Sequence, residues 1–129
     1  ARYVLGDLLR APFPPGSFDL VATVTTVHQV GTAAGLAAMA DLVRPGGTVA
    51  AVGVARSRYP RDGARDLAAA VGTRLNRRRV HLWETPAPKV WPPDEDFRQV
   101  RRAVERALPG ATFRRHLLWR WSATWTKPG

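Results

Sequence analysis

Two long apolar runs, residues 18–30 and 48–55, constrain the fold more than any other feature of the sequence. Both are rich in Val, Ala and Thr, and neither alternates cleanly with polar residues. A strand with one wet face alternates, whereas a strand covered on both faces is apolar throughout, as in parallel sheets. Between the runs, Leu36, Met39, Ala40 and Val43 recur at helical spacing, which predicts a helix over residues 33–43 with Thr32 as its cap. Arg44-Pro45-Gly46-Gly47 stops that helix, because proline cannot continue it and glycine accepts turn geometry. Strand, helix, turn and strand together predict parallel neighbours joined by a right-handed crossover.

Upstream, Tyr3-Val4-Leu5 reads as another buried strand, delivering Asp7 just past its carboxyl end. Pro12, Pro14, Pro15 and Gly16 exclude a regular helix or inner strand between residues 8 and 17. Downstream, Asp62 is placed to cap a second helix in which Leu67, Val71 and Leu75 lie four apart. The run Arg77-Arg78-Arg79 suits the negative end of that helix dipole. Residues 80–93 hold Trp83 and Trp91 among several prolines and read as irregular. A third helix begins at Asp94, with Glu95 and Asp96 in its first turn and an apolar stripe of Phe97, Val100, Val104 and Leu108. Residues 112–127 read as two antiparallel strands at a sheet edge, bearing Phe113, Leu117, Trp119, Trp121 and Trp125.

At 129 residues and 45% hydrophobic, the chain has material for one domain with one core. No apolar stretch reaches the roughly 18 residues of a membrane span, and the start lacks the pattern of a secretory signal. With no cysteine, disulfides and thiolate metal sites are excluded, and a cytoplasmic protein is expected. An opening on Ala1 that runs directly into apolar residues reads as the remainder of something longer. The net charge of +10 is nearly all arginine, with lysine only at positions 89 and 127. That bias predicts dispersed surface charge, so nucleic acid is not expected as a partner, and with no spanning segment neither is a membrane. His81 and His116 lack partners at metal-ligand spacing, so no metal is expected.

In open α/β sheets, ligands bind beyond the carboxyl ends of the parallel strands. Three such ends are predicted, at Gly6-Asp7, residues 23–28 and residues 53–56. Asp7 could accept a hydrogen bond from an exocyclic amine such as that of adenine, or simply cap a turn. His28 could act as a general base or line a pocket. Trp83 and Trp91 could wall a substrate pocket or pack as a lid. No GxGxxG fingerprint, P-loop or nucleophile elbow occurs.

Residues 6–21, Gly-Asp-Leu-Leu-Arg-Ala-Pro-Phe-Pro-Pro-Gly-Ser-Phe-Asp-Leu-Val, resemble a stretch of the small-molecule, type 11-like class I S-adenosylmethionine-dependent methyltransferases. There the pattern is Gly-Asp, Leu-Pro-Phe, a turn, then Ser-Phe-Asp and two hydrophobics. Val27-His28-Gln29-Val30 resembles the end of that family's next strand, and residues 42–49 its Leu-Arg-Pro-Gly-Gly turn. The resemblance implies an α/β fold: the carboxyl-side portion of a Rossmann-like methyltransferase sheet, mostly parallel with an antiparallel terminal strand pair and helices on both faces. It implies one partial domain over residues 1–129, with S-adenosylmethionine as cofactor and a small molecule as methyl acceptor. It further implies that Asp7 meets the adenine amine and the Leu8 backbone holds the ring. Thr23, Val24 and Thr25 would lie beneath the methionine moiety, and His28 would line the cofactor or acceptor pocket. Gln29 stands where the family often has a second histidine, which weakens a catalytic role for His28. The family's glycine-rich loop and acidic ribose-binding residue belong to two earlier strands that have no counterpart in this sequence. The first of those strands lies beside the fourth, so one flank of residues 18–30 should be bare, and Tyr3-Val4-Leu5 is expected to pair there as a substitute. The rival expectations are a non-catalytic methyltransferase remnant and a basic nucleic-acid-binding module; a dehydrogenase half fits the antiparallel ending poorly.

Overall fold

The two apolar runs do form neighbouring parallel strands. In the computed structural model, which describes residues 1–58, 60–77 and 92–129, the order begins with a 3-10 turn at Leu8–Arg10. There follow β1 (Phe18–Val24), α1 (Val27–Val30), α2 (Thr32–Leu42), β2 (Val43–Val54), α3 (Gly63–Arg77), α4 (Phe97–Ala107), β3 (Thr112–Arg115) and β4 (Arg120–Thr126). The sheet runs β1-β2-β4-β3, with β1 parallel to β2 and both other pairings antiparallel. Among the described residues, no helix is long and apolar enough to cross a membrane.

The two sheet faces differ sharply. Val49, Ala51 and Gly53 of β2 share one face with Ala123 and Trp121, the β4 partners of Ala51 and Gly53, and all five are buried. Leu36 and Met39 of α2 and Val100 and Val104 of α4 complete this core, each with no exposed surface. The predicted stripe of α4 is therefore the stripe that is buried. Its first turn is closed by a capping box, Asp96 accepting from the Arg98 and Gln99 N–H groups and Gln99 accepting from the Asp96 N–H. On the other face, at β1, Leu20 is 57% and Val24 64% exposed. Helices are expected on both faces; α2 and α4 share one of them.

Several local expectations are corrected. Tyr3-Val4-Leu5 is not a strand: all three residues are exposed, Leu5 fully. Parallel pairing needs a crossover of about a dozen or more residues, usually helical, and the link from Leu5 to Phe18 is stiffened by prolines and partly used by the 3-10 turn. The substitute pairing is thus absent, one pairing of three is parallel, and β1 keeps an open edge. The strand expected over residues 18–30 stops at Val24, because Thr25 turns the backbone at φ 53° and donates its N–H to the Val52 carbonyl (2.7 Å). β2 starts at Val43, earlier than expected, with the Pro-Gly-Gly stretch bulging between the Phe18–Val43 and Leu20–Thr48 pairs.

The capping expectations also change. Thr32 is the first residue of α2 and makes no side-chain cap; Gly31 precedes it at φ 89°. The helix is closed from a distance instead. Glu95 accepts the Thr32 N–H (3.3 Å), and the Lys127 ammonium donates to the Ala40 and Val43 carbonyls (2.7 and 3.0 Å). Asp62 does not cap α3 with its side chain, which accepts from the Arg58 N–H and the Arg115 guanidinium (both 2.9 Å). The Leu67, Val71 and Leu75 stripe faces solvent. Arg78, Arg79, His81, Trp83 and Trp91 lie outside the described residues.

Gly53 is where the sheet meets Trp121, and a Cβ there would stand 2.5 Å from the indole Cε2 and Cζ2. With that ring fully buried, Gly53→Ala should destabilise the fold by about 1–3 kcal/mol. Urea unfolding followed by circular dichroism measures this, and an unchanged midpoint would contradict the packing.

Candidate cofactor site

The candidate residues fall into two groups. Asp7 opens the 3-10 turn: its carboxylate accepts the Leu9 N–H (3.0 Å), and its carbonyl accepts the Arg10 N–H (3.0 Å). The capping role is therefore present, with Asp7 in a loop rather than at the tip of a sheet strand. Asp7 and Leu8 line a groove of about 380 Å³ with Pro12, Phe13, Leu20 and Ala22. Val21 lines it too, although it projects from the opposite face of β1 to Leu20 and Ala22. A cavity that touches both faces of a strand runs along its edge. The groove occupies the open flank of β1, not the crevice above its carboxyl end.

Thr23, Val24, Thr25 and His28 form the second group, at that carboxyl end, and none of them lines the groove. Thr23 and Thr25 are half-buried, while Val24 is exposed. His28 sits on α1, half-buried, and its Nδ1 is buried with no hydrogen-bond partner among the described residues. Burial disfavours the imidazolium and lowers its pKa from the ordinary 6.5. The structure thus brings together Asp7 with Leu8, and Thr23, Val24 and Thr25 with His28, but does not bring both groups to one cavity.

Two residues that the sequence offers only as helix-end groups, Thr32 and Glu95, meet near the carboxyl end of β2. Glu95 reaches Thr32 with its side chain, and its carbonyl accepts the Arg56 N–H (2.9 Å), joining the end of β2 to the start of α2. Thr32 is 1% exposed, and its Oγ1 has no partner among the described residues. The only sequence signal was a run of acids before α4, which reads as that helix's own first turn.

Nearby, Asp62 ties the loop after β2 to Arg115 of β3, whose guanidinium lies 3.7 Å from the centre of the Phe97 ring. Burial alone would raise the Asp62 carboxyl, but the Arg58 N–H and the Arg115 guanidinium outweigh it and hold the pKa below 3.8. This cluster is structural cement. Among the described residues, no group of three His, Asp or Glu side chains could hold a metal.

Comparison with known proteins adds what geometry alone does not. Residues 1–51 match the family described as a methyltransferase domain. Over 128 residues the chain is 34% identical to an uncharacterized methyltransferase of Mycobacterium tuberculosis, covering 98% of this chain and 64% of that protein. Both matches are to methyltransferases, and they support the resemblance to a class I methyltransferase domain. It is also 32% identical over 115 residues to a demethylmenaquinone methyltransferase of Roseiflexus, covering 81% of this chain and 47% of that protein. In fold it is similar to a possible exported protein from Bordetella parapertussis, with TM-score 0.52 and 16% identity over 96% of this chain and 43% of the other. The chain therefore spans less than two thirds of the length of these proteins. The family match takes in Asp7, Leu8 and residues 23–28, so both groups lie in its matched part.

Tested against S-adenosylmethionine, the residues present meet one end of it. A carboxylate beside an apolar groove suits the edge and faces of a purine, but among the described residues no set of side chains converges on a ribose or an amino-acid carboxylate. The fit is partial.

Two outcomes follow from the titrating groups. Asp62 contributes stability that is complete above pH 3.8 and is lost as pH falls through its lowered folded value. Asp62→Asn should therefore be costly at pH 7, with the gap to the parent closing below pH 3.8; a gap independent of pH contradicts the assignment. His28 should titrate below 6.5 and be neutral at pH 7, checked by following its ring proton in an NMR titration.

Proposed function

We propose that the chain supplies the carboxyl-side strands of an S-adenosylmethionine-dependent methyltransferase that modifies a small molecule. The observation that carries this is the family match over residues 1–51, which embraces the loop of Asp7 and the carboxyl end of β1. When bound, the cofactor supplies an electrophilic methyl group on a sulfonium, and transfer in line needs chiefly proximity and orientation. For its part, Asp7 would accept from the purine amine, with the Leu8 backbone against the ring. Thr23, Val24 and Thr25 would form the floor beneath the rest of the cofactor. A neutral His28 can accept a hydrogen bond or a proton from an acceptor hydroxyl. The Roseiflexus relative is named for demethylmenaquinone, so a quinol-type ring is the first acceptor class to assay.

A second reading, a non-catalytic remnant, is favoured by one observation. Tyr3-Val4-Leu5 lies outside the sheet, which leaves Asp7 capping a turn beside an open strand edge. On that view the chain, acting alone, has no assembled site.

Calorimetric titration with S-adenosylhomocysteine separates the two. The methyltransferase reading expects heat, and roughly tenfold or greater weakening in Asp7→Ala through loss of a hydrogen bond to a charged group. The remnant reading expects no heat. Binding that Asp7→Ala leaves unchanged would refute the adenine contact.

A further inference from the structure

α3 turns its apolar stripe away from the core. Leu67, Val71 and Leu75 are 68%, 52% and 59% exposed, four residues apart along one line of the helix. Single exposed aliphatics are ordinary, but an ordered row of three on a helix is a surface. The helix cannot roll to bury it, because its inner side is pinned. Asp66 accepts from Ser57 Oγ (2.6 Å) and Trp119 Nε1 (3.0 Å), and Ala69 is buried. Asp62, whose carbonyl accepts the Asp66 N–H, is itself held by Arg115.

Among the described residues of α3, the charges beside the stripe are of one sign. Asp66 is the only acid on α3, and it points inward. Arg74 adjoins the stripe, while Arg65 and Arg77 fall roughly 80° beyond it on either side at 3.6 residues per turn. Aliphatic side chains flanked by arginines match an interface where hydrocarbon begins beneath phosphates. A nucleic acid would reward stacking aromatics rather than Leu and Val. A second copy docked about a twofold axis would set these arginines against each other.

We propose that α3 is an interfacial helix that seats Leu67, Val71 and Leu75 in an anionic bilayer surface, with Arg65, Arg74 and Arg77 at the lipid phosphates. The inference stands apart from methyl transfer. It revises the expectation of no membrane partner, which considered only spanning segments; α3 lies on the membrane and does not cross it.

Co-sedimentation of the chain with phosphatidylcholine vesicles, with and without phosphatidylglycerol, tests this. Binding is expected only with phosphatidylglycerol and should weaken with salt. Arg74→Gln and Arg77→Gln should each lower partitioning about fivefold. The triple change Leu67→Gln, Val71→Gln and Leu75→Gln should abolish partitioning and leave the thermal midpoint unchanged, since glutamine is a good helix former. Failure to bind anionic vesicles overturns the proposal, as does undiminished binding of the triple variant. A lowered midpoint in the triple variant would show that the chain itself covers the stripe. A parent dimer that the triple variant dissolves would show that a second copy does. Equal displacement of parent and triple variant by a single-stranded oligonucleotide would reduce the effect to charge alone. Each of these three outcomes also overturns it.

Discussion

Parallel strands cannot be joined by a hairpin, so β1 and β2 are neighbours only because α2 carries the chain across between them. α2 is poorly equipped at its own ends, with an uncapped glycine before it and no basic residue in its last turn. Both ends are completed from the far end of the sequence. The Glu95 carboxylate meets the amino end and the Lys127 ammonium the carboxyl end, each with the sign the helix dipole favours. The segment before α4 and the residue after β4 therefore hold the crossover in place. β4 adds to this by laying Trp121 over Gly53, at a distance only glycine permits. The first half of the chain depends on the second for its core.

The same dependence explains what is left open. Among the described residues, nothing in the second half pairs with the outer edge of β1, and the proline-rich link, partly used by the 3-10 turn, does not bring Tyr3-Val4-Leu5 around as a parallel partner. The edge groove, the exposed Leu20 and Val24, and the loop position of Asp7 are consequences of that one unmet pairing. An open, apolar strand edge is a liability in any sheet, and here it lies on the flank where the family resemblance places the strand carrying the glycine-rich loop.

Legibility in the sequence followed the range of the interactions. The α4 stripe, the crossover and the antiparallel ending rest on periodicity and on neighbouring residues, and these appear in the structure. The spacing of Leu67, Val71 and Leu75 correctly marks a helix but carries no information about which way the helix faces; that is set by Asp66, through Ser57 and Trp119. Thr32 has the chemistry of a cap and follows a glycine, yet the carboxylate that serves the helix is 63 residues away. The end of β1 was hidden because Thr25 is a strand former that adopts φ 53° only in its tertiary setting. Asp7 admitted two roles from the outset, and the structure displays the capping one.

The misfits concentrate at one end of the sheet. Among the described residues, the non-glycine positions with positive φ are Thr25, Leu118 and Trp119. Thr25 follows β1, and Trp119 accepts the Ala55 N–H just past β2, so these flank the carboxyl ends of the parallel pair. Within seven residues of Thr25 lie the unpartnered His28 Nδ1 and Thr32 Oγ1, each a buried polar group whose isolation costs about 1–3 kcal/mol. At the opposite end, the positive φ values at Gly16, Gly46 and Gly110 fall on glycines, which adopt them freely. A fold selected for stability alone has no reason to gather its strain and its unsatisfied groups at one rim, whereas a rim that handles a ligand does. That asymmetry is in keeping with the proposed placing of the cofactor floor at the carboxyl ends of β1 and β2.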